Sequence, residues 1–116
     1  MKPIVWVGAS KKDLKRFPSR VQRAIGRVLL DVQFGGTPIT AKVLRGFSGA
    51  GVLELVEDHD GDTYRAVYTV RLAGTVYVLH TFQKKSKRGS ETPKHDMELI
   101  RRRLAEAERI HRCGEG

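Results

Sequence analysis

The chain has 116 residues, of which 22 are Lys or Arg and 13 are Asp or Glu, so its formal charge at pH 7 is +9. This length predicts one domain over residues 1–116 with one modest core, and it excludes a separate cofactor domain. The excess of positive charge favours a polyanionic partner, with nucleic acid as the first candidate, although a solvated basic surface is the simpler alternative.

Cysteine and histidine usage excludes several classes of site. Cys113 is the only cysteine, which rules out a disulfide framework and a thiolate metal site and fits a reducing cytoplasm. The four histidines have no paired ligand spacing, so we expect neither a metal nor a cofactor. The apolar runs are too short for a membrane span, and the N-terminal run is too short for a secretory signal, so we expect a soluble protein.

The first elements are a strand and a short helix. Residues 3–7 are β-branched and aromatic and predict a strand, with Trp6 anchoring its buried side. Ser10 and Asp13 have the spacing of a capping box, which predicts that a helix begins at Ser10 and continues to Pro18.

A second helix follows, and Gly35-Gly36 ends it. Its apolar residues recur at helical spacing and form one stripe: Val21, Ile25, Val28, Leu29 and Val32. The two helices therefore predict a helical hairpin packed on a sheet. Its outer side carries seven cations, typical of a solvated helix face or of general RNA affinity: Lys11, Lys12, Lys15, Arg16, Arg20, Arg23 and Arg27.

The middle of the chain predicts a loop and a strand. Residues 37–48 form a loop with a short strand through residues 43–44, and Arg45 there either reaches a phosphate or solvates the loop. Residues 52–57 predict the next strand, and residues 58–62 its turn. The acidic turn is not a calcium loop, because Thr63 occupies the position that requires glycine.

Residues 64–71 and 75–83 predict a β-hairpin around the turn Ala73-Gly74. A tight turn there pairs residues of the two strands whose numbers sum to 147. Because side chains alternate between the two faces of a sheet, this pairing assigns each residue to a face. One face groups Arg65, His80, Phe82 and Lys84, which suits an anion. The opposite face, suited to a core, carries Tyr64, Ala66, Tyr68, Val70, Tyr77 and Leu79.

A cationic cluster follows the hairpin and consists of Lys84, Lys85, Lys87 and Arg88. Thr92 as N-cap and Pro93 as first helical residue then predict a final helix that ends at Gly114, with residues 113–116 as a frayed tail. Its narrow apolar stripe is Met97, Ile100, Leu104, Ala107 and His111. The order β-α-α-β-β-β-α predicts a small α+β domain with a mostly antiparallel sheet, helices over one face and the other face available.

The combination of motifs resembles the RelE/HigB-type toxins of type II toxin–antitoxin modules. The residues that carry the resemblance are Tyr64, Arg65, Tyr68, His80, Phe82, Lys84, Lys85, Thr92 and Pro93. The resemblance implies cleavage of mRNA, usually on the translating ribosome, and inhibition of growth until an antitoxin binds. It also implies a cytoplasmic toxin–antitoxin hetero-oligomer in which the antitoxin is a small helix-turn-helix protein.

Metal-independent RNA cleavage needs cations and a proton carrier. We expect Arg65 to clamp the scissile phosphate, Lys84 and Lys85 to stabilise transition-state charge, and His80 to act as acid or base. The expected RNA-binding residues are Arg45, Tyr68, Phe82, Lys87 and Arg88, with Tyr68 or Phe82 stacking on a base.

Each assignment has a structural alternative. Arg65 pairs with Glu54 on the neighbouring strand, His80 is a satisfied sheet histidine, and Tyr68 and Phe82 pack in the core. Lys84 and Lys85 then only solvate the end of a strand.

Two other functions stay open from the sequence. One is a ParE-like inhibitor without catalysis that binds a protein such as DNA gyrase. The other is a basic RNA-binding module without catalysis. The cations clustered at the strand end favour the ribonuclease interpretation.

Overall fold

A computed structural model describes residues 1–47, 49, 51–84 and 92–115. In chain order the elements are β1 (Ile4–Trp6), α1 (Ser10–Leu14), α2 (Ser19–Gln33), β2 (Lys42–Val43), β3 (Val52–His59), β4 (Asp62–Thr69), β5 (Val76–Lys84) and α3 (Lys94–Glu115). The strands form one sheet in the order β1-β5-β4-β3-β2. Only the β1–β5 pair is parallel among those described. The predicted α+β class and order of elements are confirmed. No helix within the described residues is long and apolar enough to cross a membrane.

The predicted helical hairpin packs on one face of the sheet. Val21, Ile25, Leu29 and Val32 of α2 are buried, and they share a core cluster with residues of β3, β4 and β5: Leu55, Tyr64, Ala66, Tyr68, Val76 and Val78. The apolar stripe of the sequence therefore decides which side of α2 faces the sheet.

The predicted start of a helix at Ser10 is confirmed, but neither Ser10 nor Thr92 occupies the N-cap position of its helix. Ser10 Oγ is buried and donates to the Val78 carbonyl of β5 at 3.1 Å, and α1 has no side-chain cap. Thr92 Oγ1 donates to Glu54 Oε2 at 3.0 Å, while α3 begins two residues later, at Lys94. In both cases the hydroxyl that local spacing assigned to a helix N-terminus donates to an acceptor on the sheet.

The β3–β4 turn is tighter than predicted. His59 pairs with Asp62, and the two residues between them have positive φ angles, 49° at Asp60 and 85° at Gly61. A two-residue turn of this kind matches the twist of the flanking strands, so both strands extend further than their apolar residues indicate.

The register of the β4–β5 hairpin changes along its length. Arg65 opposite Phe82 and Val67 opposite His80 are confirmed, but beyond an irregularity at Val67/Tyr68 the next pair is Tyr68 with Val78. Leu79 is therefore the extra residue of a β-bulge. Beyond the bulge, the side chains of β5 therefore lie on the face of the sheet opposite to the one predicted.

The bulge corrects the predicted positions of Tyr77 and Leu79. Both belong to the second core cluster, with Ile100 and Ala107 of α3, and not to the face that packs on α2. The prediction that this second face is left available is also wrong, because α3 covers part of it. The part of this face that α3 leaves uncovered lies toward β2 and β3.

Candidate functional site

The open part of the α3 face contains a cavity of about 550 Å³. Residues from β2, β3, β4 and the start of α3 line it, together with the residues that follow β2: Lys42, Val43, Leu44, Arg45, Glu54, Val56, Arg65, Thr92 and Met97. Three of these side chains are cations and one is a carboxylate. The cavity is therefore polar and net positive, and two predicted site residues, Arg65 and Arg45, line it.

Arg65 and Glu54 form a buried ion pair beside this cavity. The two residues are only 6% and 5% exposed, and Arg65 Nη1 lies 3.0 Å from Glu54 Oε1. The other carboxylate oxygen, Oε2, accepts the Thr92 hydroxyl at 3.0 Å. The pairing given as the structural alternative for Arg65 is thus observed, and Glu54 fixes the guanidinium in one orientation at the edge of the cavity.

Lys42 and Arg45 are the exposed cations of the cavity. Lys42 lies opposite Glu54 in the β2–β3 register, and Arg45 follows in the turn after β2. Neither belongs to any ion pair within the part of the chain that the structure describes. Because exposed cations bind phosphate without first breaking an internal pair, these two are the side chains most accessible to an anion.

His80 lies elsewhere on the same face, beneath α3. It is 5% exposed, and its Nε2 is 2.7 Å from Asp96 Oδ1. Arg103 Nη1 approaches His80 Nδ1 at 3.3 Å and also donates to the Leu79 carbonyl at 3.0 Å. Since a guanidinium can only donate, Nδ1 is the acceptor and the ring proton resides on Nε2, where it is donated to Asp96.

The environment of His80 favours the neutral ring. Burial lowers the pKa of His80 below its ordinary value, and the hydrogen bond and charge of Asp96 oppose that shift only in part. A neutral imidazole with both nitrogens engaged suits a group that joins α3 to the sheet. This is the geometry of the satisfied sheet histidine, and an acid–base role for His80 stays a prediction.

The aromatic candidates differ in position. Phe82 stacks on His80, with ring centroids 4.7 Å apart and planes 16° apart, and it is partly exposed. Tyr68 is 1% exposed and packs against α2, on the opposite face of the sheet. Burial, with the nearby charge of Asp31, raises the pKa of Tyr68 to about 12. The predicted base-stacking role of Tyr68 is therefore wrong, whereas that of Phe82 stays a prediction.

The remaining predicted residues are Lys84 and three cations that follow it in the sequence. Lys84 is the last residue of that strand, opposite Thr63 of β4, and is partly exposed. Lys85, Lys87 and Arg88 fall outside the described residues. The structure thus places Arg65 and Arg45 at one cavity and His80 under α3.

Three residues of these two places, Lys42, Asp96 and Arg103, were not predicted from the sequence. Asp96 and Arg103 had a readable signal, because they lie four residues before and three after Ile100, on the stripe of α3 predicted to be buried. Polar residues on a buried stripe indicate partners on the facing sheet. Lys42 had no comparable signal.

Among the described residues, no group of three or more His, Cys, Asp or Glu side chains is arranged to hold a metal ion.

Comparison with known proteins gives a family and a fold. The sequence profile of the phage-derived Gp49-like proteins (DUF891) matches residues 12–105. The structure is similar to the isolated Escherichia coli RelE toxin, with a TM-score of 0.58, 18% identity and coverage of 88% of this chain and 98% of that one. It is also similar to a chain of the Mycobacterium tuberculosis toxin–antitoxin complex RelBE2, with a TM-score of 0.52, 19% identity and coverage of 72% and 98%. No curated protein matches the sequence.

Proposed function

The chain belongs to the phage-derived Gp49-like family, a family of RelE-type toxins, and we propose that it is the toxin of a type II toxin–antitoxin module that cleaves mRNA on the ribosome. The observation that carries the proposal is the cavity of about 550 Å³, with Lys42, Arg45 and Arg65 set around the carboxylate of Glu54. A cavity with this excess of positive charge suits a phosphodiester.

The proposed reaction is an attack of the ribose 2′-oxygen on the adjacent phosphorus, with release of the 5′-oxygen of the next nucleotide. The 2′-oxygen loses a proton, the leaving 5′-oxygen gains one, and negative charge accumulates on the phosphate oxygens between these events. Fixed cations that meet this charge stabilise the transition state more than the ground state. In the proposed site, side-chain cations provide this stabilisation of the transition state.

We assign different tasks to the cations of the cavity. Lys42 and Arg45, which are exposed, attract and hold the RNA backbone. Arg65 is held by Glu54, so its planar guanidinium presents one fixed geometry to the scissile phosphate. Because that orientation is set before the RNA arrives, little reorganisation is needed during the reaction.

Residues at the end of β5 extend this proposal. Lys84 and Lys85 add positive charge for the transition state, and Lys87 and Arg88 bind the RNA backbone further along. Phe82, which is partly exposed, stacks a base. His80 is assigned to holding α3 in place, on the ground that both of its ring nitrogens have partners.

An antitoxin partner follows from the same proposal. The RelBE2 relative is a toxin–antitoxin complex, and a chain with a charge of +9 suits an acidic partner. We propose a hetero-oligomer in which the antitoxin prevents the toxin from acting on translating ribosomes.

Induced expression followed by mapping of mRNA ends tests this function. The wild type is expected to arrest growth and to produce new mRNA 5′ ends within translated regions. Lys42→Ala/Arg45→Ala should slow cleavage on purified ribosome–mRNA complexes by about 10²-fold, the order expected when anion-stabilising groups are removed. Lys11→Ala/Lys12→Ala, which removes the same charge from α1, is the matched control and should cleave normally.

Two results would overturn the proposal. One is growth arrest with intact mRNA and inhibited gyrase supercoiling, which would indicate a protein target. The other is RNA binding without cleavage by the wild type on ribosome complexes.

A further inference from the structure

The outward side of α2 carries a stripe that its packing on the sheet does not explain. Arg20, Arg23, Arg27, Leu30 and Phe34 follow one another at spacings of three and four residues, so they share one side of the helix and its C-terminal end. All five are exposed. We call this set the α2 stripe: its first three members are cations and its last two are apolar.

The cations of the α2 stripe take part in no ion pair among the residues that the structure describes. Within the described residues the ion pairs join His59 to Asp60, Glu54 to Arg65, His80 to Asp96, and Glu106 to Arg109, so none involves α1 or α2. Four more exposed cations of the hairpin lie close in sequence: Lys11, Lys12, Lys15 and Arg16. Such a concentration of positive charge attracts a polyanion or an acidic protein.

The apolar end of the stripe distinguishes these two partners. Leu30 is 46% exposed and Phe34 69% exposed. A depression of about 390 Å³ lies beside Phe34, and Met1, itself 78% exposed, lines it too. A hydrogen bond from Lys2 N–H to the Gln33 carbonyl at 2.9 Å holds the N-terminus against this end of α2. An RNA chain gains nothing from an aliphatic side chain such as Leu30, whereas a protein partner buries it together with Phe34.

We propose that the α2 stripe is the docking surface of the antitoxin, which binds it through an acidic segment that also carries apolar side chains. The acidic residues of that segment face Arg20, Arg23 and Arg27, and its apolar residues cover Leu30 and Phe34. Arginine and aromatic residues are the types that dominate binding energy at protein interfaces. This inference rests on the proposed function, and it places the antitoxin on the sheet face opposite the cavity.

The test compares toxicity with neutralisation in the same cells. Arg23→Glu/Arg27→Glu and Leu30→Ser/Phe34→Ser are expressed alone and together with the product of the reading frame beside the gene. Arg102→Glu/Arg112→Glu, two exposed cations of α3 with the same charge change, is the matched control. Both stripe variants should stay toxic alone but escape neutralisation. Their dissociation constants for that partner should rise about 10–100-fold, while the control stays at the wild-type value.

The outcomes separate this inference from the function on which it rests. A wild type that is harmless, or that the neighbouring product does not neutralise, overturns the proposed toxin–antitoxin pairing and the docking surface with it. Stripe variants that are neutralised as well as the wild type overturn the docking surface alone. Arginine variants that lose toxicity when expressed alone also overturn it, because the stripe would then contact RNA.

Discussion

The two faces of the sheet are built from different chemistry. Against α2 the sheet presents a continuous apolar cluster, and the hydroxyl of Tyr68 is the only buried side-chain oxygen there without a hydrogen-bond partner within the described residues. Against α3 it presents buried charge and buried imidazole, in the pairs Glu54–Arg65 and His80–Asp96. We call the α2 face the dry face, and we call the α3 face, where buried charged pairs adjoin the second apolar cluster, the polar face.

This difference shows where the chain departs from what stability alone favours. Apolar burial stabilises the α2 face in proportion to its area. A buried ion pair stabilises little, because the cost of removing two charges from water offsets most of their attraction. The charged pairs of the polar face therefore add little to stability, and they lie on the face that carries the cavity.

The largest expected effect comes from breaking the pair on the polar face. Arg65→Met removes the partner of Glu54 and leaves a buried carboxylate uncompensated, which should lower the free energy of unfolding by about 3–5 kcal/mol. Urea denaturation measures the change. Glu54→Met, which removes the other member of the pair, should also lower the free energy of unfolding. A loss below about 1 kcal/mol for both would show that the pair is effectively solvated.

The second effect is a pH dependence that only the polar face should show. Because the folded pKa of His80 is lowered, the unfolded chain binds a proton at the ordinary pKa of 6.5 while the folded chain does not. Stability is therefore fully present above that pH and falls as the pH drops toward the lowered folded value. Asp96, Arg103 and Asp13 are the charged groups that face the ring.

Thermal melting between about pH 7.5 and pH 5 measures this dependence, with His80→Gln as the comparison. The variant keeps a polar side chain but no titrating ring, so its melting temperature should change less across this range. Equal slopes for the two proteins would mean that His80 titrates alike in the folded and unfolded chains.

A smaller effect is expected from the exposed cations of the cavity. Lys42→Ala/Arg45→Ala should reduce the slope of log affinity against log salt for a single-stranded RNA by about 1.4, which is two phosphate contacts at roughly 0.7 each. Fluorescence anisotropy over a salt series gives the slope. Lys11→Ala/Lys12→Ala, on the α1 side, should leave the slope close to the wild-type value. An equal reduction of the slope in the two double variants would show that RNA binding is not centred on the cavity.

The smallest effect belongs to the dry face. Tyr68→Phe removes a buried hydroxyl that has no partner in the described residues, so the free energy of unfolding should rise by about 1 kcal/mol. The same chemical denaturation used for Arg65→Met detects it. A decrease would show that the hydroxyl has a water partner.

Periodicity predicted the dry face well. The stripe of α2 and the alternation of β4 each name residues that the core contains, because a single period fixes which side chains point inward. The β-bulge escaped prediction, since Leu79 has nothing in its neighbourhood that distinguishes it from a regular strand residue. That one residue moved Tyr77 to the α3 face and made the face assignments on β5 incorrect beyond it.

Parts of the site were predictable for a different reason. Arg65 opposite Phe82 and Val67 opposite His80 are local pairings, so the hairpin alone determined them. The partners of Thr92 and His80 depend on where α3 lies on the sheet, which is set by packing between distant segments. Local spacing therefore assigned Thr92 to a cap that the folded chain does not use.

We propose that the charges of Glu54 and Arg65 are retained for the reaction and not for the fold. The most direct test is the double variant Glu54→Met/Arg65→Met, assayed for unfolding free energy and for mRNA cleavage on ribosomes. Since neither charge of this pair remains, we expect most of the stability lost in the single variants to return, together with a loss of cleavage of about 10²–10³-fold. A double variant that folds stably and cleaves at the wild-type rate would contradict the claim.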